Sequence, residues 1–199
     1  MAIQSLQDLY LQKLQLIYDA ELQALEAYPQ LLSQVHHAQL RQSIETHVQQ
    51  TRDQVRQLEQ LFASAGPQGG QRGQCVSMRA LIQEAQQTLG QIQDPSTRDA
   101  FLIAAAQAVE HHEIASYGTV RTWAQQLGRQ QDAQVLARIL NQEKQTNELL
   151  SRVAEGLVNR DAARGEREVS RGATADVGVR SGGTGGASRP REVGPEGRV

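Results

Sequence analysis

Two glutamates three residues apart, Glu110 and Glu113, fall on successive positions of one predicted helix face and interrupt a stripe that is otherwise apolar. An ionised carboxylate removed from water is costly unless something compensates it, so an inward pair calls for protons, a basic partner or a metal ion. Glu21, His47 and Glu143 stand at matching depths on three other stripes. No Lys or Arg occupies the centre of any of these stripes. Two divalent cations would balance Glu21, Glu110, Glu113 and Glu143, and His47 would add a nitrogen ligand. Oxygen-rich ligation with little nitrogen and no thiolate suits iron, with manganese as the alternative, better than zinc or copper. Iron there would bring oxygen or peroxide chemistry, as a ferroxidase or peroxide reductase. Gln50, Thr51 and Gln54 fit hydrogen-bonding support rather than ligation. The competing reading of the same residues is a polar layer that sets helix register in a non-catalytic dimerisation or scaffold module.

The elements that must position these groups are helices. Four long patterns carry stripes at alternating three- and four-residue steps. The first, about Ser5 to Ser33, runs from Leu6 and Tyr10 through Glu21 to Tyr28 and Leu31. The second, about Ala38 to Ala65, runs from Leu40 and Ile44 through His47, Thr51 and Gln54 to Leu58 and Leu61. The third opens on Asp94-Pro95, a cap and first-turn pair, passes through Glu110 and Glu113 to Tyr117 and Val120, and closes at Gly128. The fourth, about Gln131 to Val158, carries Leu136, Leu140, Glu143, Thr146, Leu150, Val153 and Leu157.

The links around residues 35–38 and 128–130 are short, so they join antiparallel neighbours. The link between the second and third patterns is long. It opens with a Gly/Gln-rich loop, Gly66 to Gln74, and continues into a short helical segment, about Ser77 to Leu89. A long crossover makes the second and third helices parallel. The expected fold is therefore all-α: a ferritin-like four-helix bundle with a short extra helix in the crossover, formed by residues 1–158. Residues 159–199 are rich in Gly, Arg and Ser and contain no aromatic residue, so they read as a disordered tail whose partner, if it has one, is unknown.

Twenty basic and 22 acidic residues leave the chain near neutrality, which argues against nucleic acid as a specific partner. The longest apolar run, Phe101 to Ala106, is too short to cross a bilayer, so no membrane partner is expected. No basic segment leading into an apolar core opens the chain, so no signal peptide is expected. The single cysteine, Cys75, fits a reducing cytoplasm and shows no acidifying neighbour in the sequence, so no chemistry is assigned to it. Tyr18, Tyr117 and Trp123 read as packing residues, and His111 as a candidate support for the glutamates.

Several segments together resemble the YciE/YciF family of bacterial ferritin-like stress proteins. They are LYLQKLQLIYDAELQAL (Leu9 to Leu25), HVQQTRDQVRQLEQ (His47 to Gln60), CVSMRALIQEA (Cys75 to Ala85) and RDAFLIAAAQAVEHHEIASYGTVRTWAQQLG (Arg98 to Gly128). The resemblance implies an intracellular, usually dimeric, five-helix protein with a rubrerythrin-type metal site. It implies Glu21 as the first-helix ligand, Glu110 and Glu113 as an E-x-x-E pair, and Glu143 as the fourth-helix carboxylate. Where such sites carry E-x-x-H, this chain has Thr51 and Gln54 on the second helix and Thr146 on the fourth.

Overall fold

A computed structural model of the chain describes residues 3–65 and 73–164. The tail beyond residue 164, and residues 66–72 of the Gly/Gln-rich loop, lie outside the described residues. Five helices follow one another: α1 (Leu6–Gln34), α2 (Ala38–Ala65), α3 (Val76–Leu89), α4 (Pro95–Gln126) and α5 (Gln130–Val153). Among the described residues no helix is long and apolar enough to cross a membrane.

The helix ends follow from local chemistry. The Ser5 hydroxyl accepts from the Asp8 amide at 3.1 Å and starts α1. The Asp94 carboxylate accepts from the Thr97 amide at 2.7 Å, with Pro95 in the first turn of α4. Between α1 and α2, the Asp99 carboxylate reaches over from α4 and accepts from the amides of His36 (2.9 Å) and His37 (2.7 Å). Arg41 donates to the carbonyls of Leu32 and Val35 from the other side of this turn. Gly128, at φ +73°, makes the turn from α4 to α5, a conformation that L side chains resist.

Four of the helices form a ring in which α1 lies beside α2 and α4, and α5 beside α2 and α4. One end of the core gathers Tyr10 and Leu14 of α1, Leu58 of α2, Tyr117 and Val120 of α4, and Leu136 of α5. The other end gathers Tyr28, Leu40, Leu102 and Leu150. Residue numbers thus rise toward the first end in α2 and α4 and toward the second end in α1 and α5. So α2 and α4 are parallel diagonal partners joined by the crossover, as the ferritin-like expectation requires. The short helix α3 lies across α1 and α4, with Met78 as its fully buried anchor.

Two stripe positions depart from the expected pattern. Leu6, the first residue of α1, is 38% exposed. At the other extreme, α5 runs into a π-helical turn, Ala154–Val158. That turn inserts one residue into the repeat, so Val158 and not Leu157 points inward after Val153; Leu157 is 45% exposed and Val158 1%. Helical structure continues to residue 164.

Candidate metal centre

Between the two apolar ends lies a layer of buried polar side chains: Glu21 on α1, His47, Thr51 and Gln54 on α2, Glu110 and Glu113 on α4, and Glu143 and Thr146 on α5. The helical repeat accounts for the arrangement. Each polar residue takes a place in its stripe that the apolar residues above and below it also point into. His47, Glu110, Glu113 and Glu143 converge, and each offers a ligand atom within 4.8 Å of all the others. His47 Nε2 stands 3.1 Å from Glu110 Oε1 and 3.9 Å from Glu143 Oε2.

These atoms are close without being satisfied. His47 Nε2, Glu110 Oε2, Glu113 Oε1 and Glu143 Oε2 are all buried and lack an aligned hydrogen-bond partner. Buried polar atoms in folded proteins are overwhelmingly paired, and four converging groups that each keep an unpartnered buried atom are an arrangement a cation resolves. The other faces of the same groups are held. Gln54 Nε2 donates to Glu143 Oε1 and reaches Gln142 Oε1 at 3.2 Å. Thr146 Oγ1 lies 3.2 Å from His47 Nδ1, which leaves Nε2 turned toward the glutamates. Tyr28 meets the His47 ring edge-on at 5.8 Å. Thr146 and Gln54 therefore orient ligand-type groups, the supporting role expected for such residues.

Glu21 is in the layer, 1% exposed, but outside the convergent four. Tyr117 Oη donates to its Oε1 at 2.5 Å. The packing role expected for Tyr117 is thus incomplete, since its hydroxyl fixes a carboxylate of the layer. His111 is corrected outright. Its ring turns outward to within 2.8 Å of its own helix's Gln107 carbonyl.

The electrostatics follow from burial. Burial first, and then the other carboxylates, push Glu110 up to about 10 and hold Glu21 and Glu113 well above the usual glutamate range. Burial also raises Glu143, to about 7, against the opposing pull of its hydrogen bonds to Glu110 and Gln54. Burial lowers His47 to about 4, opposed only by its contact with Gln50. The imidazole is therefore neutral near pH 7, the form that ligates metals. The carboxyls need either protons or a cation.

Cys75 overturns the expectation that it has no acidifying neighbour. Its amide donates to Asp19 Oδ2 at 2.6 Å, and its sulfur lies 3.3 Å from Ser77 Oγ and 3.6 Å from His112 Nε2. Burial pushes the thiol up, but His112 and Ser77 outweigh it and bring it to about 7. Ser77 is two positions away and was visible. His112 is brought in only by the way α3 crosses α4, which no local pattern announces.

Comparison with known proteins agrees with this architecture. The model of a family described as a domain of unknown function, DUF892, matches residues 5–163. Protein YciF of Escherichia coli (strain K12) is 36% identical over 162 residues, covering 81% of this chain and 98% of that protein. The crystal structure of the E. coli stress protein YciF superposes with a TM-score of 0.75 over 79% of this chain and 99% of that one. The structure of YcfI from Rhodopseudomonas palustris, provisionally described as a structural protein, gives 0.73 at 39% identity, covering 75% of this chain and 94% of that one. The resemblance to the YciE/YciF family is borne out.

Proposed function

The chain belongs to the DUF892 family, and from that premise we propose that it is a ferritin-like carboxylate metalloprotein of a bacterial stress response, with iron as the metal and manganese as the alternative. One observation carries this reading: four buried ligand-type side chains from three helices each offer an atom within 4.8 Å of the others, and each keeps a buried polar atom without a hydrogen-bond partner. His47, Glu110, Glu113 and Glu143 would hold a first ion. A second would lie toward Glu21, which feels the charge of Glu143. Iron bound there supplies the redox chemistry for ferroxidase or peroxide-reducing activity. The protein's own part is to keep the His47 imidazole neutral and to hold Glu143 through Gln54, between two apolar ends of the core. The stress role rests on kinship with the E. coli stress protein YciF. Cytoplasmic location and a homodimeric state belong to the same proposal.

Metal analysis of protein purified with iron or manganese supplied tests it. At least one ion per chain is expected, lost in a Glu110→Ala/Glu143→Ala double variant. Protein free of metal under both supplies would defeat the reading. A second reading, a non-catalytic helical module, is favoured by the description attached to YcfI. It predicts a folded dimer whose melting point does not respond to metal.

A further inference from the structure

Beside the polar layer, under the crossover helix α3, lies a cavity of about 470 Å³. Its volume falls within the range of about 300–1,000 Å³ usual for small-molecule sites. The cavity exists because α3 is a light cover. Only Met78 of its residues is fully buried, while Leu81, Ile82, Ala85 and Leu89 are half-exposed and face the space below. The walls are mainly apolar, with Ala24, Leu31, Ala105 and Val109 opposite α3. The two ends differ. At one, His47 and Glu110 of the candidate metal centre reach the cavity wall. At the other stands Arg98, in the first turns of α4.

Arg98 is the cation of this lining, and it is incompletely used. One Nη donates to the Ile92 carbonyl at 2.6 Å, while its Nε is buried without a partner. Of the acids beside it, Asp94 caps the helix and senses the Arg98 charge. Asp99 spends both oxygens on the His36 and His37 amides. A guanidinium that lines the end of an apolar cavity, with one Nη held by a carbonyl, is suited to a carboxylate.

Arg98 precedes Glu110 by twelve residues, so the two are about 18 Å apart along the helix axis. A zigzag chain of bonds of about 1.5 Å advances about 1.3 Å per carbon, so about 14 carbons span that distance, or about 12 once the ~3 Å hydrogen bond to the guanidinium is taken off. We propose that this cavity binds an aliphatic monocarboxylate of that length, with its carboxylate on Arg98 and its chain running under α3 toward His47 and Glu110. The inference deepens the metal-centre reading by naming an organic ligand for the same site. Binding itself needs no metal, so the two can fail separately.

Calorimetric titration of the metal-free full chain with dodecanoate and tetradecanoate tests the proposal. Dodecanol and dodecyltrimethylammonium serve as uncharged and cationic probes of equal chain length. One carboxylate per chain is expected, with dodecanol weaker by about tenfold or more and the cation weaker still. Arg98→Gln should lose about tenfold for the acid and little for the alcohol. Ala85→Trp, on the lightly packed α3, should abolish binding of both while helix content by circular dichroism stays unchanged. Several results would overturn the proposal: no saturable binding, equal affinity for all three head groups, or full binding to Ala85→Trp. Loss of dodecanoate binding as the chain self-associates would assign this face to a second copy instead, and would equally overturn it.

Discussion

Tyr117 Oη lies 2.5 Å from Glu21 Oε1, and this bond ties a carboxylate of α1 to α4 one turn beyond Glu113. It explains why Glu21 stands apart from the four convergent ligand groups although it shares their level. Tyr117→Phe removes the donor and leaves a buried carboxyl oxygen unpaired. The metal-free protein should lose about 1–3 kcal/mol of stability. Metal should reduce that loss, because a cation gives Glu21 another partner. Urea unfolding with and without manganese measures both quantities. An identical loss in the two conditions would show that Glu21 takes no part in binding metal.

The same layer sets an unusual pH dependence. Glu21, Glu110, Glu113 and Glu143 all hold protons to higher pH when folded than the ordinary value of 4.5, Glu143 to about 7 and Glu110 to about 10. A group whose pKa rises on folding contributes stability that is fully present below its unfolded value and is lost as pH climbs through the folded one. His47 acts in the opposite sense. Its folded value of about 4 lies below the ordinary 6.5, so its contribution is present above 6.5 and lost as pH falls toward 4. Between the two ordinary values four carboxyls oppose one imidazole, and the carboxyls prevail. Metal-free protein should therefore unfold at a lower urea concentration at about pH 7.5 than at about pH 5. Bound metal replaces the protons, so stabilisation by metal should grow over the same interval. A metal-free midpoint that rises with pH would contradict the electrostatics assigned to the layer.

Much of this arrangement was readable from residue spacing, and the reasons are physical. His47, Glu110, Glu113 and Glu143 each sit in a stripe whose apolar members are mostly buried, so the helical repeat turned them inward. The lengths of the links gave the parallel pairing of α2 and α4. Three features needed coordinates. The π-helical turn that exchanges Leu157 for Val158 changes the repeat itself, and a fixed period cannot foresee it. The Tyr117–Glu21 bond depends on the relative height of α1 and α4 to within a single hydrogen bond. The contact of Cys75 with His112 depends on where a short, lightly packed helix comes to rest.

That contact carries a prediction of its own. With His112 and Ser77 at its sulfur, Cys75 should be half thiolate at about pH 7. Thiolate is the nucleophile, so alkylation by iodoacetamide should accelerate as pH rises through that value and then level off. Absolute rates should be low, because the residue is 4% exposed and must wait for local opening. His112→Leu should move the midpoint up toward the ordinary thiol range. Mass spectrometry of the alkylated chain follows the reaction, and an unshifted midpoint in that variant would remove His112 as the cause.

His47, Glu110, Glu113 and Glu143 are the groups proposed to hold the metal, and anomalous scattering at the iron edge from crystals of iron-loaded protein tests them most directly. The predicted result is a peak enclosed by these four side chains, with any second peak on the side of Glu21. A well-ordered bundle with no peak in this layer, or with iron bound only at surface residues, would contradict it.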